Sequence, residues 1–461
     1  MKFYRILAAA ALTLAVSAAS AQSRPIVTEV PERPAGQTHM VGFACAPMDT
    51  VRVGIIGLGM RGYSAVERMI KVPGAKVTVI CDIDTARVER SQRIFDSLGM
   101  PRVAAYGGEE NSWRALCERP DVDLVYIVTD WEHHAPMALY AMEQGKHAAI
   151  EVPAAMNLDE IWDLINTSER TRRHCMMLEN CVYDFFEMNT LNMAQQGLFG
   201  EVLHTEGSYI HNLDEFWPYY WNNWRLDYNR RHRGDVYPTH GVGPACQLLD
   251  IHRGDRMTTL VSMDTKAVSG PAYIEKTTGK APESFANGDH TMTMIRTAGG
   301  KTIHIQHDVV NPRPYSRMYQ LTGTKGFANK YPVEGYAFLP EQIASDFIPD
   351  HENLSAHGFI TPEQQRALTE QYTHPIIREV GEVAKKVGGH GGMDYIMDYR
   401  LIYCLRNGLP LDMDVYDLAE WCSLIPLSAL SIEAGSAPVE VPDFTRGAWN
   451  LTHGYRHAYK Q

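Results

Sequence analysis

Two groups of residues in this 461-residue chain have types and spacings that suit chemistry. The first is Gly57-Leu58-Gly59-Met60-Arg61-Gly62, which directly follows an apolar segment over residues 51–56. Glycines at this spacing let a strand turn tightly into a helix whose first amides face a pyrophosphate. Asp82 ends the next apolar segment, where a carboxylate accepts from a ribose 2′-hydroxyl and repels a 2′-phosphate. The pattern predicts NAD binding.

The second group comprises two histidines that lie beside glycines and one tyrosine. His240 follows Tyr237-Pro238-Thr239 and precedes a Gly-x-Gly run, where a backbone can pass close to a ligand. An imidazole there suits acid–base catalysis, although an isolated histidine is often only part of a structural hydrogen bond. His390, with two glycines on each side, is a second candidate. Tyr183, just after the last parallel strand, is a candidate acid–base partner if its pKa is depressed.

An aromatic run over residues 216–228 suggests what the site binds. It mixes tryptophans and tyrosines with asparagines and Arg225. Aromatic rings cover the C–H faces of a sugar, and its hydroxyls need donors and acceptors. The alternative is that these rings form a packed lobe or a subunit contact. We predict that Arg225 and Tyr209 face the ligand.

The elements that must position these residues follow from the apolar patterns. Up to residue 179, short apolar segments alternate with helical spacings, which predicts a Rossmann-type, doubly wound parallel sheet. The predicted strands are 51–56, 76–81, 124–128, 147–150 and 174–178, and the predicted helices are 63–70, 85–98, 136–144 and 158–171. After residue 197, alternating runs predict a C-terminal α+β domain with a largely antiparallel open sheet. Those runs are 202–210, 257–264, 291–297, 302–308 and 319–322. The expected fold class is α/β.

The ends of the chain and its composition set further limits. Residues 1–21 read as a signal peptide, 22–49 as an extended lead-in, 50–180 as the NAD-binding domain and 181–461 as the substrate domain. We therefore expect an exported, periplasmic protein that carries its NAD out tightly bound. A net charge of −12 argues against nucleic acid and anionic membrane as partners. No cysteine spacing suggests a metal site. The sequence is compatible with a homo-oligomer but does not predict one.

Several short stretches carry a family resemblance. Residues 129–136, 141–147 and 151–153 resemble the glucose–fructose oxidoreductase / inositol dehydrogenase superfamily. In those enzymes a Glu-Lys-Pro lysine assists hydride transfer, and here Val152 takes its place. The usual Asp-x-Gly-x-His signature is replaced by Tyr237-Pro238-Thr239-His240. Both departures argue against simple alcohol dehydrogenation.

The chain more closely resembles glycoside hydrolase family 109, the NAD-dependent α-N-acetylgalactosaminidases. The matching segments are 180–187, 207–211, 235–241 and 388–392, and the likeness runs from about residue 51 to 449. The resemblance implies cofactor contacts at Met60, Arg61, Asp82, Trp131, Glu132, His133, His134, Glu151, Val152, Asn180 and Tyr237. It implies substrate contacts at Tyr209, Arg225, Tyr237, Pro238, Thr239, His240 and Tyr315.

The implied reaction is redox-neutral hydrolysis of a terminal α-linked N-acetylgalactosamine. Oxidation at C3 acidifies the C2 proton, the glycosidic oxygen leaves, water adds and the hydride returns, so that one bound NAD suffices. We predict that His240 or Tyr183 is the base that removes the C2 proton or the C3-hydroxyl proton. One alternative is a periplasmic NAD(P)-dependent sugar oxidoreductase that passes a hydride between two sugars. Another is a non-catalytic sugar-binding module with a structural nucleotide.

Overall fold

The first sheet is built from six strands that alternate with helices. The computed structural model describes residues 25–343 and 354–460, so the predicted signal peptide lies outside the described residues. The elements are β1 Val51–Ile56, α1 Met60–Met69, β2 Ala75–Asp82, α2 Thr85–Ser97, β3 Ala104–Gly107, α3 Ser112–Cys117, β4 Leu124–Ile127, α4 Trp131–Glu143, β5 His147–Ile150, α5 Leu158–Thr171 and β6 Cys175–Met177. All pairings are parallel, in the order β3-β2-β1-β4-β5-β6. This confirms the predicted doubly wound sheet.

Two local features of this half differ from the sequence prediction. Strand β3 and helix α3 were not predicted, because β3 is a short edge strand whose side chains are only partly buried and give little apolar pattern. Helix α4 begins at Trp131, five residues before the predicted start at Pro136. Proline is typical of the first helical turn, but Pro136 lies inside this helix.

The second sheet has eight strands and is mostly antiparallel. Its order is β13-β12-β11-β7-β10-β9-β8-β14, and only β7 and β10 pair in parallel. The strands are β7 Val202–Ile210, β8 Met257–Asp264, β9 Thr291–Thr297, β10 Thr302–Asp308, β11 Tyr319–Gly323, β12 Gly326–Asn329, β13 Gly335–Phe338 and β14 Val439–Glu440. Side chains of β9 alternate strictly between buried and exposed, which is why its period-two pattern was visible in the sequence. The predicted α/β class and largely antiparallel second sheet are confirmed.

The other α-helices of the described residues all lie after residue 184. They are α6 Phe185–Gln195, α7 Trp224–Arg231, α8 Thr239–Leu248, α9 Ser269–Thr278, α10 Pro362–Gln371, α11 Pro375–Val387, α12 Met393–Asn407 and α13 Val415–Glu433. Helix α13 packs against α5 and β6 on one side and β8 on the other, and α12 packs against α1 and β1. Asp398 on α12 accepts hydrogen bonds from Arg68 of α1 and from the Tyr126 hydroxyl of β4. Helix α12, which comes late in the chain, is therefore attached to the first sheet and its helix α1.

Residues 25–49 run along this framework without forming a helix. Ile26 makes a bridge to Val439, and Arg33 forms an ion pair with the buried carboxylate of Glu169. All eight cysteines are free, and all but the partly buried Cys45 are fully buried. Within residues 25–343 and 354–460, the structure contains no helix of the length and apolarity needed to cross a membrane.

Candidate active site

The glycine-rich turn forms a cradle between β1 and α1. Gly57 has a φ of +90°, and a Cβ on it would lie 2.4 Å from the Val128 carbonyl oxygen. A Cβ on Gly62 would lie 1.8 Å from the Gly57 oxygen, so that helix and turn meet without side chains between them. Gly59 occupies the N-cap, and the first turn of α1 carries no acidic residue. The first amides of the helix remain available to an anion, which fits the pyrophosphate of NAD.

Asp82 holds the turn from the neighbouring strand. One of its carboxylate oxygens accepts from the Leu58 amide at 2.5 Å and the other from the Asp84 amide at 2.8 Å. Two amides leave part of the acceptor capacity of a carboxylate unused, because its two oxygens carry about four lone-pair sites. Asp82 therefore holds the glycine-rich turn in place and still has acceptor sites for a ribose hydroxyl.

Several predicted cofactor residues use their side chains within the protein instead. Glu132 forms an ion pair with Arg231, and His133 pairs with Asp130. Both nitrogens of the buried His134 lie against backbone carbonyl oxygens, at 2.7 Å from Pro153 and 3.1 Å from Thr129. The ring of His134 is therefore not available to the cofactor, whereas the cofactor contact of the half-exposed His133, which is held only through Nδ1, stays a prediction. The side chain of His134 ties the loop after β4 to the loop after β5.

Charged residues join the cradle to α12. Arg61 donates to Glu151 at 2.7 Å and to Asp394 at 2.8 Å, and Asn180 donates to the second oxygen of Asp394 at 2.6 Å. Burial would raise the pKa of Asp394, but Arg61 and the other cations around it hold that pKa well below its usual range. Val152, the residue after Glu151, is buried. Asp394 was not anticipated from the sequence, and it contacts two of the predicted cofactor residues, Arg61 and Asn180.

His240 is the buried centre of the second half of the cleft. It is the second residue of α8, and its Nδ1 lies 2.7 Å from Oε1 of Glu179. Its Nε2 lies 3.2 Å from the Tyr237 hydroxyl. Burial lowers the pKa of His240 to about 4, although the Glu179 carboxylate acts in the opposite direction. A neutral imidazole whose Nδ1–H donates to Glu179 keeps a lone pair on Nε2, which is the form of a general base.

A close crossing of two backbones places His240. A Cβ on Gly207 of β7 would lie 2.3 Å from the carbonyl oxygen of Gly241 on α8. We had expected the glycine after His240 to let a ligand approach the backbone. The structure corrects this expectation, because the space that Gly241 frees is filled by the strand. The crossing brings Tyr209, the next-but-one residue on β7, beside His240, with ring centroids 5.4 Å apart.

Aromatic rings and one arginine line the space next to His240. Trp131 stacks on Tyr237 with ring centroids 5.5 Å apart, and the Arg225 guanidinium lies 4.4 Å from the Tyr237 ring. Arg225 is buried and donates from Nη1 to the Tyr220 hydroxyl at 2.7 Å. Its Nε and Nη2 atoms have no partner in the part of the chain that the structure describes. Buried guanidinium donors without acceptors are costly, so these two atoms suit ligand oxygens.

The other predicted substrate residues lie at different depths. The Tyr209 hydroxyl lies 3.0 Å from Nδ1 of His211, and Tyr315 is 42% exposed with its ring 4.9 Å from the same histidine. Pro238 is the N-cap residue of α8, and the buried Thr239 hydroxyl has no partner among residues 25–343 and 354–460. Tyr315 and His211 therefore lie towards the open side, and Thr239 lies towards the interior.

The Tyr183 hydroxyl does not contact His240 and forms its hydrogen bond elsewhere in the protein. Its hydroxyl donates to Asp412 at 3.2 Å, and its side chain is fully buried. Burial raises its pKa well above the usual value, and the nearby Asp412 raises it further. The condition set for Tyr183 as an acid–base partner, a depressed pKa, is not met, because the short helical turn over residues 180–183 directs this side chain towards Asp412 and Arg400. A phenol in this environment is a poor base.

Glu179 and Arg317 were missed in the sequence. Burial alone would raise the pKa of Glu179, but His240, the Cys181 amide and Arg317 lower it. Glu179 follows β6 at the carboxyl edge of a parallel sheet, where ligands bind, and this position was the available signal. Arg317 lies with Nη1 3.2 Å from Sγ of Cys181. Donor atoms of Glu179, Cys181 and His240 lie within 4.8 Å of one another, but a guanidinium on the sulfur disfavours a metal cation there.

Comparison with known proteins adds two matches to protein-family models. Residues 51–179 match the oxidoreductase family with an NAD-binding Rossmann fold, and residues 183–451 match the C-terminal domain of glycosyl hydrolase 109. A glycosyl hydrolase family 109 protein 1 of Phocaeicola vulgatus is 68% identical, over 96% of this chain and 94% of its own length. A glycosyl hydrolase family 109 protein of Porphyromonas gingivalis is 64% identical, over 99% of both chains.

Solved structures share the fold at low sequence identity. A levoglucosan dehydrogenase in complex with NADH and levoglucosan has a TM-score of 0.61 and 18% identity, over 86% of this chain and 100% of its own. An apo scyllo-inositol dehydrogenase from Lactobacillus casei has a TM-score of 0.58 and 13% identity, over 86% of this chain and 99% of its own. These similarities show that the two-domain architecture is shared.

Proposed function

Because this chain belongs to glycosyl hydrolase family 109 and carries its NAD-binding Rossmann fold, we propose that it hydrolyses terminal α-linked N-acetylgalactosamine on resident NAD. The observation that carries the proposal is the neutral, carboxylate-held imidazole of His240 beside Tyr237. Tyr237 stacks on Trp131, which begins the helix after β4 at the edge of the cofactor sheet. The imidazole of His240, the phenol of Tyr237 and the edge of the cofactor sheet at Trp131 are therefore adjacent.

The carboxylates of the cleft support chemistry other than direct displacement. Most glycosidases use two carboxylates on either side of the scissile bond, one as an acid and one as a nucleophile or base. Here Glu179 is committed to His240, and Glu151 is committed to Arg61. Both side chains are almost fully buried. A redox-neutral cycle needs no such carboxylate pair.

Each residue of the cleft has a distinct role in this proposal. NAD held by the glycine-rich turn and Asp82 would supply reversible hydride chemistry at C3 of the sugar. His240 takes the C2 proton on Nε2, and Glu179 holds the imidazole in the required tautomer. Arg225 donates to sugar oxygens through its two unpartnered atoms, and Tyr209 and Tyr315 contact the ring. The geometry of the cleft thus orients the sugar, while the cofactor supplies the redox step.

The export proposal rests on the composition of residues 1–21. A protein outside the cytoplasm has no pool of free nicotinamide cofactor, so an enzyme that regenerates its NAD in every turnover suits that location. We propose that the mature protein is periplasmic and keeps one NAD through many turnovers. Fractionation of cells that express the tagged full-length chain tests the location.

The experiment uses purified mature protein with no added nucleotide. It follows nitrophenol release from 4-nitrophenyl α-N-acetylgalactosaminide, with deuterium incorporation at C2 in D₂O as a second readout. We expect release with C2 exchange, loss of both in His240→Ala, and no loss in the control His357→Ala, whose side chain is exposed. Release without exchange would overturn the mechanism. A net oxidised sugar would instead support the sugar oxidoreductase.

A further inference from the structure

Part of the aromatic run lies outside the sugar cleft. Trp217 is fully buried and Trp224 is partly buried, whereas residues 221–223 between them are exposed. Asn222 and Asn223 both have left-handed backbones, with φ of 51° and 54°, so the chain turns sharply there. We call residues 217–224 the strap. It is anchored at both ends and exposed in the middle.

The second end of the strap packs on the cofactor sheet. The ring centroid of Trp224 lies 5.1 Å from that of Trp131, the first residue of α4, which follows β4. The Tyr220 ring lies 5.3 Å from the Trp224 ring, and its hydroxyl accepts from Arg225. This end of the strap therefore touches both the cofactor sheet and the wall of the sugar cleft.

The exposed middle of the strap reaches a different helix of the same sheet. The guanidinium carbon of Arg87 lies 4.8 Å from the centre of the Trp221 ring. Arg87 is in the first turn of α2, which follows β2. Its Nη1 lies 3.9 Å from a carboxylate oxygen of Asp82 and would lie 3.6 Å from a Cβ on Gly59. Trp221 thus meets an arginine that borders the glycine-rich turn.

The order of the strands shows what lies under the strap. Strand β1 is between β2 and β4, and the carboxyl ends of these parallel strands share one edge of the sheet. Strands β2 and β4 are about 10 Å apart, twice the spacing of neighbouring strands. The strap contacts α2 after β2 and α4 after β4, so the part from Trp221 to Trp224 crosses the end of β1. The glycine-rich turn that suits the pyrophosphate lies at that end.

We propose that the strap retains NAD, with Trp221 and Arg87 closing the groove over the nucleotide and slowing its release. The glycine-rich turn and Asp82 would hold the nucleotide from one side, and the strap covers the groove from the other. Release then requires the contact between Trp221 and Arg87 to break. The strap belongs to the second half of the chain, so retention depends on a contact between the two halves. This inference concerns the cofactor and holds whichever sugar the enzyme uses.

The test measures how fast resident NAD leaves the purified mature protein. The protein is mixed with a large excess of deuterium-labelled NAD, and the unlabelled NAD that remains bound is followed by mass spectrometry. We expect exchange to become about tenfold faster in Trp221→Ala, because a cation–π contact and the cover of the ring are lost. Tyr219→Ala is the matched control, since this side chain lies in the same strap and is 68% exposed. It should exchange at the wild-type rate.

Arg87→Gln separates closure by the strap from a direct hold of Arg87 on the nucleotide. We expect exchange as fast as in Trp221→Ala, and little further change in the double variant, because both substitutions remove one contact. Unchanged exchange in Trp221→Ala, or wild-type protein that purifies without NAD, would overturn the proposal. Additive effects in the double variant would overturn it as well, since the two residues would then act separately. No sugar is present, so a failure of the proposed hydrolysis would leave these results unaffected.

Discussion

Glu179 and His240, 61 positions apart in the chain, share a 2.7 Å hydrogen bond that leaves the lone pair of Nε2 facing the Tyr237 hydroxyl, 3.2 Å away. The carboxylate comes from the loop after β6 and the imidazole from the first turn of α8. The pair therefore spans the junction between the cofactor sheet and the second sheet. Any movement between the two sheets would alter the position of the base.

Glu179→Gln tests the role of this pair. We expect kcat to fall by about 100-fold or more, because the amide no longer stabilises the protonated imidazole or fixes its tautomer. The measurement is kcat against pH, together with C2 exchange in D₂O. A positioning role predicts that exchange falls in parallel with turnover. Glu382→Gln, at a side chain that is 82% exposed, is the control. Retained exchange in Glu179→Gln would contradict the assignment of His240 as the C2 base.

Arg225→Lys tests the sugar contacts. Lysine keeps the charge, but its three donors lie on one nitrogen and cannot reach both the Tyr220 hydroxyl and the positions of Nε and Nη2. We expect KM to rise by about tenfold, which is one lost hydrogen bond of roughly 1.4 kcal/mol, with a smaller change in kcat. Steady-state kinetics separate the two constants. Arg366→Lys, at a 70% exposed side chain, is the control. A fall in kcat alone would instead place Arg225 in the chemical step.

Tyr183→Phe separates the two bases that the sequence offered. The Tyr183 phenol donates to Asp412, so we expect turnover close to that of the wild type. We also expect a loss of about 1.5–3 kcal/mol in the free energy of unfolding, because a hydrogen bond to a buried charge is removed. Turnover and urea unfolding are measured on the same preparation. A large loss of turnover in a fully folded variant would show that Tyr183 acts in catalysis.

The buried histidines predict that acid destabilises the protein. Burial lowers the pKa of His147, His240 and His457 to about 4, below the ordinary value of 6.5. Between pH 6.5 and 4 the unfolded chain therefore binds protons that the folded chain does not, and the free energy of unfolding falls as pH falls. Glu187 and Asp235 act the other way, because burial raises their pKa to about 8 and about 7.

The loss is expected to become steeper as the pH falls from 5.5 to 4.5. The two carboxyl groups oppose the loss only while they are protonated in the folded chain and ionised in the unfolded one, and this difference disappears near their ordinary values of 4.5 and 3.8. Urea unfolding midpoints at pH 7, 5.5 and 4.5 measure the trend with NAD in place. A midpoint that stays constant or rises towards pH 4.5 would contradict the prediction.

Local sequence patterns were enough to predict most of the fold. The glycine-rich turn, Asp82 and the alternating runs of β7 to β10 depend on neighbours close in sequence, and the structure contains them where they were predicted. The hydrogen bond between Glu179 and His240 could not be predicted in this way, because the two residues meet only after both sheets have formed. The orientation of the Tyr183 side chain could not be predicted from local sequence either. In a short helical turn, successive side chains point in different directions, so proximity to Asn180 in sequence says little about where the phenol lies.

The contact between Arg61 and Asp394 has a consequence for the order in which the protein is made. The glycine-rich turn leaves the ribosome early, but Asp394 follows more than three hundred residues later, when most of the 461 residues have been synthesised. A nascent chain that has completed only its first sheet lacks the carboxylate that joins Arg61, Asn180 and His390. We therefore expect stable capture of the nucleotide to require the finished polypeptide, so that a prematurely terminated chain would be left without it.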